Sequence, residues 1–133
     1  MRTEASRSCA GLSAVFLLAA PSVIQAQDVD ITGTWIGETF VPDAAEPDKL
    51  TLVFAKKDGK WAGTFSDTMG YASEAECLDI KIDGHTVTLY FEISDGYDVQ
   101  TIYVTLQVEE DSMTGAWEND GGEGAEIKLS KKK

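Results

Sequence analysis

The clearest indication of architecture in this chain is the stretch Gly33-Thr34-Trp35-Ile36-Gly37. Glycine and tryptophan stand two residues apart in it, and the same spacing returns in Trp61-Ala62-Gly63-Thr64-Phe65 and in Gly115-Ala116-Trp117. Residues two apart in an extended strand share a face of the sheet, so each glycine is expected to open a space beside a large ring. The spacing therefore predicts strands whose inner faces fill the inside of a small β-barrel.

Runs of alternating apolar and polar residues extend this pattern along the chain. Short runs separated by turn residues at intervals of about 8 to 12 residues are typical of an all-β sandwich or barrel. Eight such runs occur, over residues 31–41, 50–56, 61–66, 77–82, 86–93, 99–108, 113–118 and 125–129. The sequence therefore predicts an all-β fold, a single eight-stranded antiparallel up-and-down (meander) barrel.

The turns predict how the strands pair, because the length of a hairpin loop fixes which residues face each other. Used as a two-residue turn, Asp58-Gly59 places Phe54 opposite Gly63 and Leu52 opposite Phe65. The other predicted pairs are Ile82 with His85, Ile80 with Val87 and Leu78 with Leu89 around Asp83-Gly84, then Phe91 with Ile102, Leu89 with Val104 and Tyr90 with Tyr103.

The first 26 residues are predicted to be a signal peptide. Arg2 and Arg7 precede an apolar stretch over residues 10–23, and Ala26 ends a plausible cleavage site. An N-terminal membrane anchor is the alternative, but Pro21 and two serines interrupt the stretch, which is shorter than the roughly 20 residues that span a bilayer. We expect an exported protein, secreted or periplasmic, with a barrel domain over residues 27–130 and a basic tail over residues 131–133.

Composition limits the classes of partner. The formal net charge is −12, and no arginine remains after residue 26. A nucleic-acid surface needs clustered lysine and arginine, so nucleic acid is excluded as a partner. The 107 residues after the leader suit one domain, for which we expect a monomer without a membrane span. Cys77 is the only cysteine left there, either buried and inert or available for an intermolecular bond.

Acidic residues gather in the connections predicted at one end of the barrel. In an up-and-down barrel, alternate connections lie at the same end. The connections over residues 42–49, 67–76, 94–98 and 119–124 are longer than the turns at the other end, and Lys49 is their only basic residue. They predict a negatively charged mouth with ten acids: Asp43, Glu46, Asp48, Asp67, Glu74, Glu76, Asp95, Asp98, Asp120 and Glu123.

At Gly33-Thr34-Trp35 the chain resembles the first-strand Gly-x-Trp of the calycin group, which comprises lipocalins, fatty-acid-binding proteins and avidins. The resemblance implies that Trp35 packs inside the barrel near its closed end. Residues 31–35 and 63–65 look locally like avidin, although Gly37 stands where avidins have a ligand-binding Asn. Lipocalins carry an arginine near the last strand that stacks on the tryptophan, and no arginine follows the leader here.

Nearly all of the chain after the leader is similar to small exported bacterial domains, which occur alone or ahead of secreted α/β-hydrolases. That family implies a lipocalin-like barrel and no settled activity. The motifs that carry the likeness are Gly33-Thr34-Trp35-Ile36-Gly37, Asp58-Gly59-Lys60-Trp61-Ala62-Gly63-Thr64, Asp83-Gly84, Gly115-Ala116-Trp117 and Lys131-Lys132-Lys133.

The sequence predicts neither an enzyme nor a metal or cofactor site. Nucleophilic catalysis usually needs a histidine beside the nucleophile, and the only histidine, His85, stands at a hairpin. Nearly all carboxylates fall in loops or on outward positions, which does not suit a glycosidase pair. Residues 95–98 and 119–124 suggest calcium loops, but they lack the spacing of an EF-hand and are typical of hairpin turns.

Aromatic residues on the predicted inner face carry the first functional hypothesis. An eight-stranded barrel is just wide enough for side chains or for one small ligand, so these rings either fill the interior or line a pocket. They are Trp35, Phe54, Trp61, Phe65, Phe91 and Trp117. We hypothesise a binding or accessory module that holds a small apolar or cationic molecule in its interior or mouth. The alternative is a protein-interaction or inhibitor module that contacts an envelope protein through its acidic rim loops.

Overall fold

The computed structural model describes residues 28–94 and 96–133, which form one antiparallel sheet of nine strands. The predicted signal peptide lies outside the described residues. In the part that is described, no helix is long and apolar enough to cross a membrane. The strands are β1 (Gly33–Thr39), β2 (Asp48–Lys57), β3 (Lys60–Asp67), β4 (Ala75–Glu76), β5 (Leu78–Asp83), β6 (Thr86–Ser94), β7 (Val99–Glu109), β8 (Ser112–Asn119) and β9 (Gly124–Lys131).

The sheet curls into a nearly closed up-and-down barrel. Its strand order is β4-β3-β2-β1-β9-β8-β7-β6-β5, so the first strand pairs with both the second and the last. Only β4 and β5 are edge strands, and they lie next to each other because β4 also contacts β6 and β5 also contacts β3. The predicted fold class is confirmed, with nine strands in place of eight.

The additional strand, β4, lies at the end of the predicted connection over residues 67–76, and the predicted strand over residues 77–82 corresponds to β5. β4 and β5 are separated only by Cys77, whose backbone N–H donates to the carbonyl oxygen of Gly63 at 2.8 Å. Before this residue the chain pairs with β3, and after it the chain pairs with β6. The same segment therefore spans the gap between β3 and β6, and eight positions remain around the barrel.

Two of the three predicted hairpin registers are confirmed. Phe54 faces Gly63 and Leu52 faces Phe65, and the three predicted pairs between β6 and β7 are also present. Asp58 has a φ of 53° and Gly59 a φ of 78°, the two positive values that a type I′ turn requires. Asp58-Gly59 therefore forms the predicted two-residue turn between β2 and β3.

The predicted register of the β5–β6 hairpin is wrong. Ile82 faces Val87 instead of His85, because the two turn residues are Gly84 and His85. Gly84 takes a positive φ of 64° at the first turn position, and both its backbone groups are bonded to the N-terminal segment, which sequence spacing does not show. The register moves by two residues, so the apolar side chains of Ile80 and Ile82 keep the predicted face.

A bulge explains the second error in this hairpin. Leu78 pairs with Tyr90 and not with Leu89, because β5 holds one additional residue between Leu78 and Lys81. Asp79 lies inside the bulge with a φ of 49°. The bulge reverses the inward and outward alternation before it. Cys77, which is 5 % exposed, consequently joins the buried core, and Leu78 does not.

The N-terminal segment plugs the tightly turned end of the barrel. Val29 N donates to the carbonyl oxygen of Gly84 at 2.9 Å, and Asp28 Oδ1 accepts from Gly84 N at 2.9 Å. Ile31 is completely buried, and its carbonyl oxygen accepts a hydrogen bond from Trp35 Nε1 at 3.0 Å. This end is therefore closed by packed side chains, and the opposite end holds the longer connections.

The glycines beside the tryptophans have two different roles. A Cβ on Gly63 would meet the ring of Phe54 at 2.7 Å, so this glycine does open the predicted space for a ring. A Cβ on Gly37 would instead collide with the carbonyl oxygen of Lys128, and one on Gly115 with that of Thr105. Those two glycines allow the backbones of neighbouring strands to approach closely. The expectation that every glycine accommodates a ring is wrong.

Candidate functional site

A cavity of about 300 Å³ opens at the loop-bearing end of the barrel. The ends of β1, β2, β3, β6, β7 and β8 surround it, and Phe65, Phe91 and Trp117 contribute aromatic walls. Small-molecule sites commonly occupy the mouths of β-barrels, and their volumes begin at about 300 Å³. The cavity therefore has the place and the minimum size of such a site.

The aromatic walls are held in fixed positions. The rings of Phe65 and Phe91 are stacked, with centroids 4.3 Å apart and an interplanar angle of 25°. Trp117 Nε1 donates to Thr39 Oγ1 at 2.9 Å, and Thr39 Oγ1 donates to the carbonyl oxygen of Glu126 at 2.5 Å. Thr39 is 3 % exposed, so this relay anchors the indole from within the barrel wall. The apolar surface is consequently preformed.

The other three aromatic candidates belong to the closed end. Trp35 and Phe54 are each 1 % exposed and fill the core. Lys131 Nζ lies 5.7 Å from the centre of the Trp35 ring. Trp61 is half-buried, with Lys56 Nζ 5.2 Å from its ring centre. These three rings fill the barrel and do not line the cavity.

The ten acidic candidates do not lie together in one group. Asp48, Asp67 and Glu123 line the cavity, and Glu76 lies in β4 opposite Thr64, on the barrel wall. Asp95 falls outside the described residues. The exposed ones are Asp43, Glu46, Glu74, Glu76, Asp98, Asp120 and Glu123. The structure therefore separates two sheltered aspartates from a solvated acidic rim.

Asp48 and Asp67 form a carboxyl pair in the cavity wall. Asp48, only 2 % exposed, begins β2, and Asp67 ends β3. Asp48 Oδ1 accepts hydrogen bonds from the backbone N–H groups of Thr68 and Met69, both at 3.1 Å. Asp67 Oδ1 accepts from Ala72 N at 2.8 Å, whereas its Oδ2 is buried without a hydrogen-bond partner in the described chain. The pair thus fixes the loop after β3, and a proton on Asp48 is the donor that remains for the sheltered oxygen.

The surroundings of Asp48 favour its protonated form. Burial raises the pKa of Asp48 to about 6, and both a hydrogen bond with Asp67 and the charge of Asp67 act in the same direction. The backbone N–H groups of Thr68 and Met69 oppose this effect because they stabilise the carboxylate. The main cause is burial, which disfavours the charged carboxylate, and the neighbouring carboxyl group of Asp67 adds to it.

Sequence reasoning grouped these two aspartates with the loop acids and missed their orientation. The alternation of β2 places residues 48, 50, 52 and 54 on one face, and that of β3 places 63, 65 and 67 on the matching face. Extending each run by its period of two would have put Asp48 and Asp67 inside the barrel. The predicted strands instead begin at Leu50 and end at Ser66, one or two residues short of these aspartates.

Two other candidates from the sequence have ordinary structural roles. His85 Nδ1 lies 3.0 Å from the carbonyl oxygen of Val108, at the closed end. Asn119 Oδ1 accepts from the backbone N–H groups of Gly121 and Glu123, both at 2.9 Å, which makes residues 119–124 a side-chain-bonded turn. Within residues 28–94 and 96–133, no group of three or more His, Cys, Asp or Glu is arranged to hold a metal ion.

Comparisons with protein-family models, with curated proteins and with solved structures found no match for this chain.

Proposed function

We propose that this protein is a small exported binding module that holds one small apolar or cationic molecule in the cavity at its mouth. The observation that carries the proposal is the preformed cavity of about 300 Å³ with Phe65, Phe91 and Trp117 in its wall. A core filled by side chains alone would have left no such space. Binding would transfer the apolar part of a ligand from water to these rings, which is the main source of affinity in such sites.

The volume limits the size of the ligand. A water molecule takes about 30 Å³ in the liquid, so the cavity corresponds to about ten such volumes. A single aromatic ring with a short substituent matches this volume. A fatty acid or a haem is too large to be enclosed, so we propose a compact ligand.

The export and ancestry of the module are part of the same proposal. The apolar leader supports export, and the placement of Lys131 over Trp35 at the closed end supports a calycin-like barrel. A lysine of the last strand here lies against the tryptophan that an arginine covers in lipocalins. This likeness concerns the closed end alone and assigns no ligand.

A titration with 2-phenylethanol and indole tests the proposed function. We expect saturable shifts of the Trp117 indole N–H signal in NMR spectra, identified with Trp117→Phe, while the signals of Trp35 and Trp61 stay in place. Ile93→Trp, which fills the cavity, should abolish binding, whereas Ile36→Trp on the exposed outer wall should not. The absence of any saturable shift at the solubility limit of both probes and of 2-phenylethylamine would exclude this function.

A second candidate function is supported by exposed apolar side chains around the mouth. Phe40 is 57 %, Tyr71 53 % and Tyr97 94 % exposed, and each lies in or beside a mouth connection. Exposed aromatic residues are enriched in protein-binding surfaces. The test is saturable binding of an envelope protein that Tyr97→Ser removes and Tyr103→Ser, on the barrel wall, leaves intact. Equal effects of the two substitutions would exclude a rim-specific interaction.

A further inference from the structure

We infer that the Asp48–Asp67 pair makes the mouth cavity a site for the protonated amino group of a small apolar amine. The inference rests on the proposed binding function and specifies the chemistry of the ligand. Neither the aromatic wall nor the net charge of the rim implies it alone. It follows from where the two carboxyl groups lie relative to the rings.

The first argument is the sheltered, unsatisfied oxygen. Asp48 is almost completely buried, yet it belongs to the cavity wall. Asp67 Oδ2 is buried, and the only donor for it in the described part of the chain is a proton on Asp48. A buried carboxylate oxygen without a donor is costly, and the structures that retain one usually offer it to a proton, an ion or a ligand. Once Asp48 loses its proton, the pair therefore lacks a donor, and a cation beside it would compensate its charge.

The second argument is that the described wall supplies no counter-charge. The titratable side chains in the described wall are those of Asp48, Asp67, Tyr71 and Glu123, and the wall contains no lysine. Lys49 follows Asp48 in β2 but is exposed, on the opposite face of the strand. A cation in the cavity would remove the repulsion between the two carboxylates, while an anion would increase it.

The third argument distinguishes an amine from a metal ion. Calcium takes six to eight oxygen ligands, and the described residues contain no cluster of three or more side chains that suits a metal. An ammonium group has three donors, which match a few carboxylate oxygens. Phe65, Phe91 and Trp117 lie in the same wall, and aromatic faces attract both cations and apolar groups. One molecule that carries an ammonium group on an apolar body satisfies both parts of the wall.

The shared proton of the pair adds a measurable consequence. Because burial and Asp67 raise the pKa of Asp48 to about 6, a proton competes with the ammonium group in mildly acidic solution. The amine keeps its charge throughout this range, so the competition reflects the protein. Affinity for the amine should therefore rise between pH 5 and pH 7.5, and binding near pH 6 should release protons.

The experiment compares 2-phenylethylamine with its neutral analogue 2-phenylethanol by calorimetry at pH 7.5 and pH 5. We expect the amine to bind at least about tenfold more tightly at pH 7.5, the size of one charge-assisted hydrogen bond. Asp67→Asn should remove this advantage and leave 2-phenylethanol unaffected. Asp43→Asn removes the same charge from the exposed rim and serves as the matched control. Asp48→Asn is the second variant if Asp67→Asn does not fold.

Each outcome has one meaning. Equal affinities for the amine and the alcohol would overturn the inference and leave the proposed cavity function standing. If Asp43→Asn reduces the tighter binding of the amine as much as Asp67→Asn does, this preference comes from the net negative charge of the protein. That result would also overturn the inference. If neither compound binds, the proposed function fails together with the inference.

Discussion

The ring of Phe54 occupies the space left by the absent side chain of Gly63. Phe54 Cδ1 lies 2.7 Å from the position that a Cβ on Gly63 would take, and the two residues face each other across β2 and β3. Phe54 is 1 % exposed, so its ring is enclosed by the core. The closed half of the barrel is therefore filled by a large residue on one strand above a glycine on the next.

Gly63→Ala is expected to destabilise the protein by about 1 to 3 kcal/mol, because the new methyl group overlaps the Phe54 ring and the Val53 carbonyl oxygen. Urea denaturation measures the change in the free energy of unfolding. Gly121→Ala is the control, since its Cβ would meet only Asn119 Oδ1, at 3.5 Å, and should change stability by less than about 0.5 kcal/mol. Equal effects of the two substitutions would show that the ring does not depend on this gap.

Thr39→Val is expected to destabilise the protein by about 1 to 3 kcal/mol, because it leaves Trp117 Nε1 without its acceptor. The volume is nearly conserved, so the loss reports on the hydrogen bonds and not on a cavity. Thr39→Ser keeps the hydroxyl group and should restore most of the stability. If Thr39→Val is as stable as the wild type while Thr39→Ser is destabilised, the methyl group of Thr39 and not its hydroxyl holds the indole in place.

The sequence predicted the elements of the fold whose signals are local. The β2–β3 register followed from Asp58-Gly59, and alternation placed Phe54 and Trp35 in the core, because turn chemistry and period are properties of a few consecutive residues. The β5–β6 register failed because Gly84 is also bonded to Asp28 and Val29, which are distant in sequence. The longer connections lie at the end that holds the cavity, because alternate connections of an up-and-down barrel share one end.

The composition of the site was harder to predict. Asp48 and Asp67 looked like loop acids because polarity is the usual sign that a strand has ended. Their burial depends on the loop after β3, whose backbone donates to both carboxyl groups. An aromatic ring lines the cavity only if it lies near the mouth end of the barrel axis. Alternation shows which residues point inward, but not how far along the axis they lie. Phe65 and Trp35 share the inward alternation, yet only Phe65 reaches the mouth.

Lys131→Met is expected to reduce stability by about 0.5 to 1 kcal/mol, because it keeps an apolar chain against Trp35 but removes the cation from its ring. Lys128→Met, at an exposed position of the same strand, is the control and should have a smaller effect. Thermal denaturation of both variants at low and high salt provides the measurement. If Lys131→Met and Lys128→Met have the same stability at both salt concentrations, the cation does not stabilise the closed end.

Cys77 is expected to be inert toward thiol reagents in the folded protein. Burial, helped by the negative charge of Glu76, raises the pKa of its thiol to about 12. The thiolate is the reactive form, so its fraction at pH 8 should be roughly a thousandfold below that of an ordinary cysteine. Alkylation mapped by mass spectrometry should label Cys77 in urea but not in native buffer. Rapid labelling in native buffer would revive the possibility of an intermolecular disulfide.

The protonation of Asp48 makes the stability of the protein depend on pH. Folding raises the pKa of Asp48 from 3.8 to about 6, so between these values the folded state binds more protons than the unfolded state. This group therefore lowers the free energy of unfolding as pH rises through that window. Asp48→Asn keeps an acceptor for the N–H groups of Thr68 and Met69, and its amide can donate to Asp67. We expect the variant to gain stability relative to the wild type from pH 4 to pH 7.5, on the order of 1 kcal/mol. Urea midpoints at several pH values measure this difference, and Asp43→Asn at the exposed rim should show none. A difference that is independent of pH would mean that Asp48 is ionised throughout the range and that the two carboxyl groups do not share a proton.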